Sequence, residues 1–115
     1  MRVEVYYKNK TKANEKQSRI YGSYTRVIDD DVNGYHYYQS NFANGYYGIW
    51  FCSPYGWYIG KHSSKGQCQG HANSNFNTDK CVHDIGFDWK YADGTVWSDA
   101  GEGLAVKCLY EHGNC

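Results

Sequence analysis

Residues 46–60, YYGIWFCSPYGWYIG, hold nine aromatic or aliphatic residues and Cys52 around one short break, Ser53-Pro54-Tyr55-Gly56. That break has the composition of a tight turn, so the stretch reads as a buried β-hairpin with strands over 46–52 and 57–61. Pleat alternation puts Tyr47, Ile49 and Phe51 on one face and Tyr46, Trp50 and Cys52 on the other. A strand apolar on both faces either sits centrally in a sheet or reserves one face for a partner.

The rest of the chain repeats the signal at shorter range. Residues 2–8 and 19–28 read as strands, with Gly22 marking a bulge or a close backbone approach, and residues 9–18 (NKTKANEKQS) read as a polar loop. Asn33-Gly34 is a strong hairpin-turn dipeptide and leads into a strand over 35–40; Asn44-Gly45 supplies the next turn. Periodicity is lost over residues 62–86, a loop long enough to require a tether or a function. A hairpin over 88–98 and a last strand over 104–110 follow, with residues 111–115 as a flexible tail. The expected fold is a single all-β domain over 1–115, an antiparallel sandwich or flattened barrel of about eight short strands with one long disulfide-closed loop.

Composition supports this class. The 115 residues include 13 Tyr, 4 Trp, 4 Phe and 13 Gly but one Met, and such rings suit a pleated surface better than a helix. Basic and acidic residues number 12 each, a balance that argues against a nucleic-acid binder or a polybasic membrane-surface protein. No apolar run approaches the roughly 20 residues of a membrane-spanning helix.

Five cysteines in so short a chain indicate an oxidising compartment and two disulfides. The expected pairs are Cys68–Cys81, closing the long loop, and Cys52–Cys108, joining the hairpin to the last strand. Cys115 is then left for an intermolecular bond and a disulfide-linked homodimer. With Cys52 turned to the core, the face carrying Tyr47 and Phe51 is the one expected to bind. Met1-Arg2 runs directly into an alternating strand, so the expectation is a secreted, mature chain with Met1 added for expression. Asn9-Lys10-Thr11 is the one N-glycosylation sequon, consistent with secretion.

Several chemistries can be weighed. Asp29, Asp31, Asn33 and Gly34 match the opening of an EF-hand calcium loop, but Ser40 stands where a bidentate Glu is needed, so an acidic turn is preferred to a calcium site. Cys68, His71, Cys81 and His83 could ligate zinc, at a spacing unlike the usual fingers, and oxidation of the cysteines is preferred. Asp84, Asp88, Asp99 and Glu102 could pair as glycosidase carboxylates, although any chain of this size offers such pairs. No nucleophile elbow or cysteine-protease signature is present. No enzyme activity, metal or other cofactor is expected.

Exposed aromatic rings beside amides are what remains, and these stack on sugar faces while hydrogen-bonding to hydroxyls. The expected ligand-binding residues are Tyr47, Phe51, Tyr55, Tyr58, Asn73, Asn75 and Asn77, with glycans or an extracellular surface as partners.

Asn33-Gly34-Tyr35, Trp57-Tyr58-Ile59-Gly60, Trp89, Trp97 and Leu104-Ala105-Val106-Lys107-Cys108 resemble small Tyr/Trp-rich β modules of secreted invertebrate proteins, lectin-like or of the byssal and shell-matrix adhesive type. The resemblance carries no functional residues over. It implies either a lectin or a structural adhesive that binds surfaces through Tyr, or Dopa after hydroxylation, and cross-links through Cys.

Overall fold

The computed structural model describes residues 1–109. Nine antiparallel strands form one curled sheet: β1 Arg2–Tyr6, β2 Gly22–Arg26, β3 Tyr38–Ser40, β4 Tyr47–Cys52, β5 Gly56–Lys61, β6 Ala72–Asn73, β7 Lys90–Asp93, β8 Val96–Asp99 and β9 Ala105–Cys108. Their order is β8-β7-β6-β5-β4-β3-β2-β1-β9, so the hairpin β4–β5 lies at the middle and β8 and β9 are the edges. The fold is all-β as expected, and of the two arrangements expected it is the barrel-like one: a single curled half-barrel sheet.

Alternation decides what the concave side holds. Tyr38, Ile49, Ile59, Ala72, Tyr91 and Ser98 stand opposite one another across six successive strands, and on the other half Val5 faces Val106 and Val3 faces Tyr24. All of these but Ser98 belong to one apolar core, with Trp57, Trp89 and Leu104 fully buried among them. Phe51 stacks on Tyr35 inside it, with ring centroids 3.8 Å apart.

The open side is plugged by short elements. Helix α1, Lys12–Lys16, packs against β7 and against the 3-10 turn Gly101–Gly103, while β9 packs on the 3-10 turn Val82–Asp84. α1 corrects the expected polar loop over residues 9–18. Thr11 caps it by accepting from Ala13 N (3.2 Å), and Asn14 Oδ1 accepts from Thr11 N (2.7 Å). This capping box carries Asn where Glu or Gln is usual, which hid it from the sequence pattern.

The expected long loop also proves structured. It holds β6, and its first half lies over the convex face of β4 and β5, where Trp50 Nε1 donates to Gln67 O (2.8 Å). Gly60 permits that close cover, because a Cβ there would stand 3.0 Å from Gly70 Cα and from Trp50 Cη2.

Cys52 bonds Cys68, with Cα atoms 5.4 Å apart, which overturns both expected pairings. Cys52 lies on the convex face with Trp50, Tyr37 and Tyr58, whereas Cys108 stands opposite inward-facing Val3 on the edge strand. Four inter-strand steps, about 19 Å along the sheet, separate β4 from β9, well beyond disulfide reach. Cys81 is disulfide-bonded too, but not to Cys68. Residues 111–115, and with them Cys115 and its expected intermolecular bond, lie outside the described residues.

Candidate functional site

Curling the sheet leaves one outward file of side chains on its β5–β8 half. Tyr58, Asn73, Lys90 and Asp99 are consecutive cross-strand neighbours, one from each strand. Each stands one residue from an inward-facing position, so the parity that fills the core also lays down this row. Above it opens a cavity of about 650 Å³ lined by Tyr55, Tyr58, Cys68, Asn73, Asn75, Phe76, Lys90 and Trp97. That size falls within the range of small-molecule sites.

Two aromatic pairs form the walls. Trp97, on β8 and 41% exposed, meets the Tyr58 ring edge-on at 6.5 Å and 72°. Tyr55, in the β4–β5 turn, meets Phe76 at 5.8 Å and 59°. The Cys52–Cys68 bond fixes the remaining side by holding Cys68 at the cavity.

Phe76 reaches its place through a tight turn. Asn75 and Phe76 both adopt positive φ, 54° and 65°, the signature of a type I′ turn between Ser74 and Asn77. Ser74 Oγ donates to Asn77 O (2.7 Å) and accepts from Trp57 N (2.8 Å), while Asn73 Oδ1 accepts from Asn75 N (2.9 Å). Glycine is the usual second residue of such a turn; an aromatic there is strained.

The polar groups at the floor are few and defined. With its Oδ1 committed to the turn, Asn73 offers its amide NH2. Lys90, which lines the cavity, holds its Nζ 3.0 Å from Asp99 Oδ1, a neighbouring carboxylate outside the lining. Burial pushes the Tyr58 phenol above its ordinary pKa, with Tyr55 adding a smaller push, so it stays a protonated donor.

Of the expected ligand-binding residues, Tyr55, Tyr58, Asn73 and Asn75 are brought together here. Tyr47 and Phe51 are not: they are 7% and 4% exposed and belong to the concave core, so the expected binding face is the buried one. Asn77 is also absent from the cavity lining, since its carbonyl closes the turn and its Oδ1 accepts from Asp79 N (3.0 Å). Sequence reasoning missed Phe76, Lys90 and Trp97. Alternation in the 88–98 hairpin puts Lys90 on the face opposite the core residue Tyr91, and that signal was available.

The other chemistries resolve simply. Asp31 Oδ1 lies 3.3 Å from Arg26 Nη2, and Asn33 Nδ2 donates to Phe51 O (2.8 Å), so both side chains of the calcium-like turn have protein partners. The zinc set loses its thiolates, because Cys68 and Cys81 are both disulfide-bonded. Among the described residues, Cys81, His83 and Asp84 bring potential ligand atoms within 4.8 Å of one another, and the same oxidation of Cys81 disables them as a thiolate site. Of the carboxylates weighed for glycoside chemistry, Asp99 is paired with Lys90 and Glu102 with Lys8 and Asn9. Comparison of the chain with protein-family models, with curated proteins and with solved structures returns no match, and the functional reading rests on the cavity itself.

Proposed function

We propose that this chain is a secreted, non-enzymatic carbohydrate-recognition domain of lectin type, and that the cavity over β5–β8 takes the sugar. The observation that carries the reading is the convergence of Trp97, Phe76 and Tyr55 over the row Tyr58, Asn73, Lys90 and Asp99. An exposed indole or phenyl face stacks on the apolar C–H face of a pyranose. An amide NH2, an ammonium and a phenol then bond the hydroxyls around its edge, with the Asp99 carboxylate beside the ammonium. The mixture of donors and acceptors, with Lys90 and Asp99 offsetting each other, suits a neutral sugar.

The test is a glycan array followed by titration of the best glycan against the wild type and Trp97→Ala. Saturable binding, weakened roughly tenfold or more by the substitution, supports the reading. Binding of apolar molecules but of no glycan by the same cavity sinks it.

Adhesion through exposed Tyr or Dopa is the other reading of the composition, and it has less to draw on. Tyr24, Tyr37, Tyr38, Tyr47, Tyr58 and Tyr91 are buried, and Tyr7, Tyr46 and Tyr55 are the exposed tyrosines among the described residues. An adhesive needs its phenols at the surface.

A further inference from the structure

We propose that Asn9 is an N-glycosylation site and that its first sugar rests on Tyr7. Tyr7-Lys8-Asn9-Lys10-Thr11 joins the Asn-x-Thr acceptor to an aromatic residue two positions earlier. The chain bends here: the N–H groups of Lys8 and Asn9 both donate to Glu102 O, at 2.9 and 3.2 Å. Asn9 is exposed and so is Tyr7, at 43%.

Beside the bend lies a second cavity, of about 340 Å³, lined by Tyr7, Lys10, Asn14, Glu15, Ser18 and Tyr21. Tyr21 supports Tyr7 edge-on, with centroids 5.9 Å apart at 73°, and is itself anchored by donating to Gly103 O (2.5 Å). The Tyr7 ring is therefore a backed, solvent-facing surface next to the acceptor asparagine. An N-acetylhexosamine stacked on it buries its apolar face, and Lys10, Asn14, Glu15 and Ser18 supply polar partners for its hydroxyls.

Modification of the chain before it folds meets no obstacle from the native contacts. The transfer forms a bond from Asn9 Nδ2 to the anomeric carbon of a lipid-pyrophosphate-linked oligosaccharide. The bond from that carbon to the pyrophosphate oxygen breaks, one amide proton is lost to solvent, and lipid pyrophosphate leaves. The N–H that remains can still donate to Glu102 Oε1, which accepts from Asn9 Nδ2 at 2.6 Å in the unmodified protein. Thr11 then serves twice, as the acceptor motif's hydroxyl and afterwards as the cap of α1, accepting from Ala13 N and donating to Ala100 O. This inference needs passage through a compartment that performs the transfer, and it does not depend on the sugar-binding cavity.

The full chain should be expressed behind a cleavable secretion leader in a eukaryotic host and weighed intact before and after peptide-N-glycosidase. We expect excess mass that the enzyme removes, leaving aspartate in place of Asn9, and no excess in Asn9→Gln. Secreted wild type at the bare chain mass overturns the site. For the stacking, the glycosylated protein should melt about 3–6 °C above its deglycosylated form, a difference kept in Tyr7→Phe and lost in Tyr7→Ala. No difference in the wild type, or an equal one in Tyr7→Ala, overturns the contact with Tyr7.

Discussion

Phe76 holds its ring over the main cavity from a backbone conformation that disfavours any residue with a β-carbon. Replacing it with glycine should therefore raise stability by about 1 kcal/mol, read from denaturant unfolding, while sugar affinity falls roughly three- to tenfold. Phe76→Ala separates the two effects, because it keeps the strained φ and loses the ring: affinity should fall with no gain in stability. Equal stability of the Gly and Ala variants would remove the strain argument.

His71 is a second residue with a measurable signature. It is half-buried, 6.0 Å edge-on from the Tyr47 ring, and burial, reinforced by Arg19 and Lys61, lowers its pKa below 6.5. For a base with a depressed folded-state pKa, the unfolded chain binds the proton first as pH falls. The stabilisation is complete above pH 6.5 and drains away as the pH drops toward the folded-state value. Melting temperature should decline on acidification from that point, and less so in His71→Gln. An identical decline in both proteins would show that His71 has no part in it.

Elements show how far the chain could be read in advance. The hairpin β4–β5 and its central, doubly buried position followed from residues 46–60, because six consecutive buried positions in β4 leave no room for a solvent face. Which of its faces meets the core did not follow. Alternation fixes parity alone, and the choice rested on joining Cys52 to Cys108, whose separation across β3, β2 and β1 is a property of strand order. β6 escaped because two residues, Ala72 and Asn73, carry too little pattern, although Asn73 and Asn75 were legible as amides near a turn.

The tether over the convex face has its own test. Cys52 and Cys68 are 16 residues apart, and on a chain-entropy account removing their bond by Cys52→Ser with Cys68→Ser should cost roughly 3 kcal/mol. Loss of the tether should also weaken sugar binding, since Cys68 forms part of the cavity wall. Unchanged unfolding free energy would mean that residues 62–71 hold their place without it.

For the whole molecule, an aromatic-rich chain buries some of its rings in a packed interior and sets others around two surface cavities. Burial pushes the Tyr38 phenol up to about 12 and those of Tyr21, Tyr24 and Tyr37 still higher, against an ordinary value of 10.0. Phenols with raised folded-state values stabilise the fold below pH 10, and that contribution is lost as pH rises through those values. Ultraviolet titration at alkaline pH should accordingly show a class of phenols that ionises well above the ordinary value, together with loss of the β signal. A single class ionising near 10 would contradict the packing, and would also return the adhesive reading to consideration.

Sugar binding by the cavity over β5–β8 is tested by calorimetric titration of an array-selected glycan into the wild type, Trp97→Ala and Tyr46→Ala. Tyr46 is similarly exposed, at 48%, but does not line the cavity. A sugar site there gives one saturable isotherm, unchanged affinity in Tyr46→Ala and a roughly tenfold or greater loss in Trp97→Ala. Equal affinity in all three proteins would contradict it.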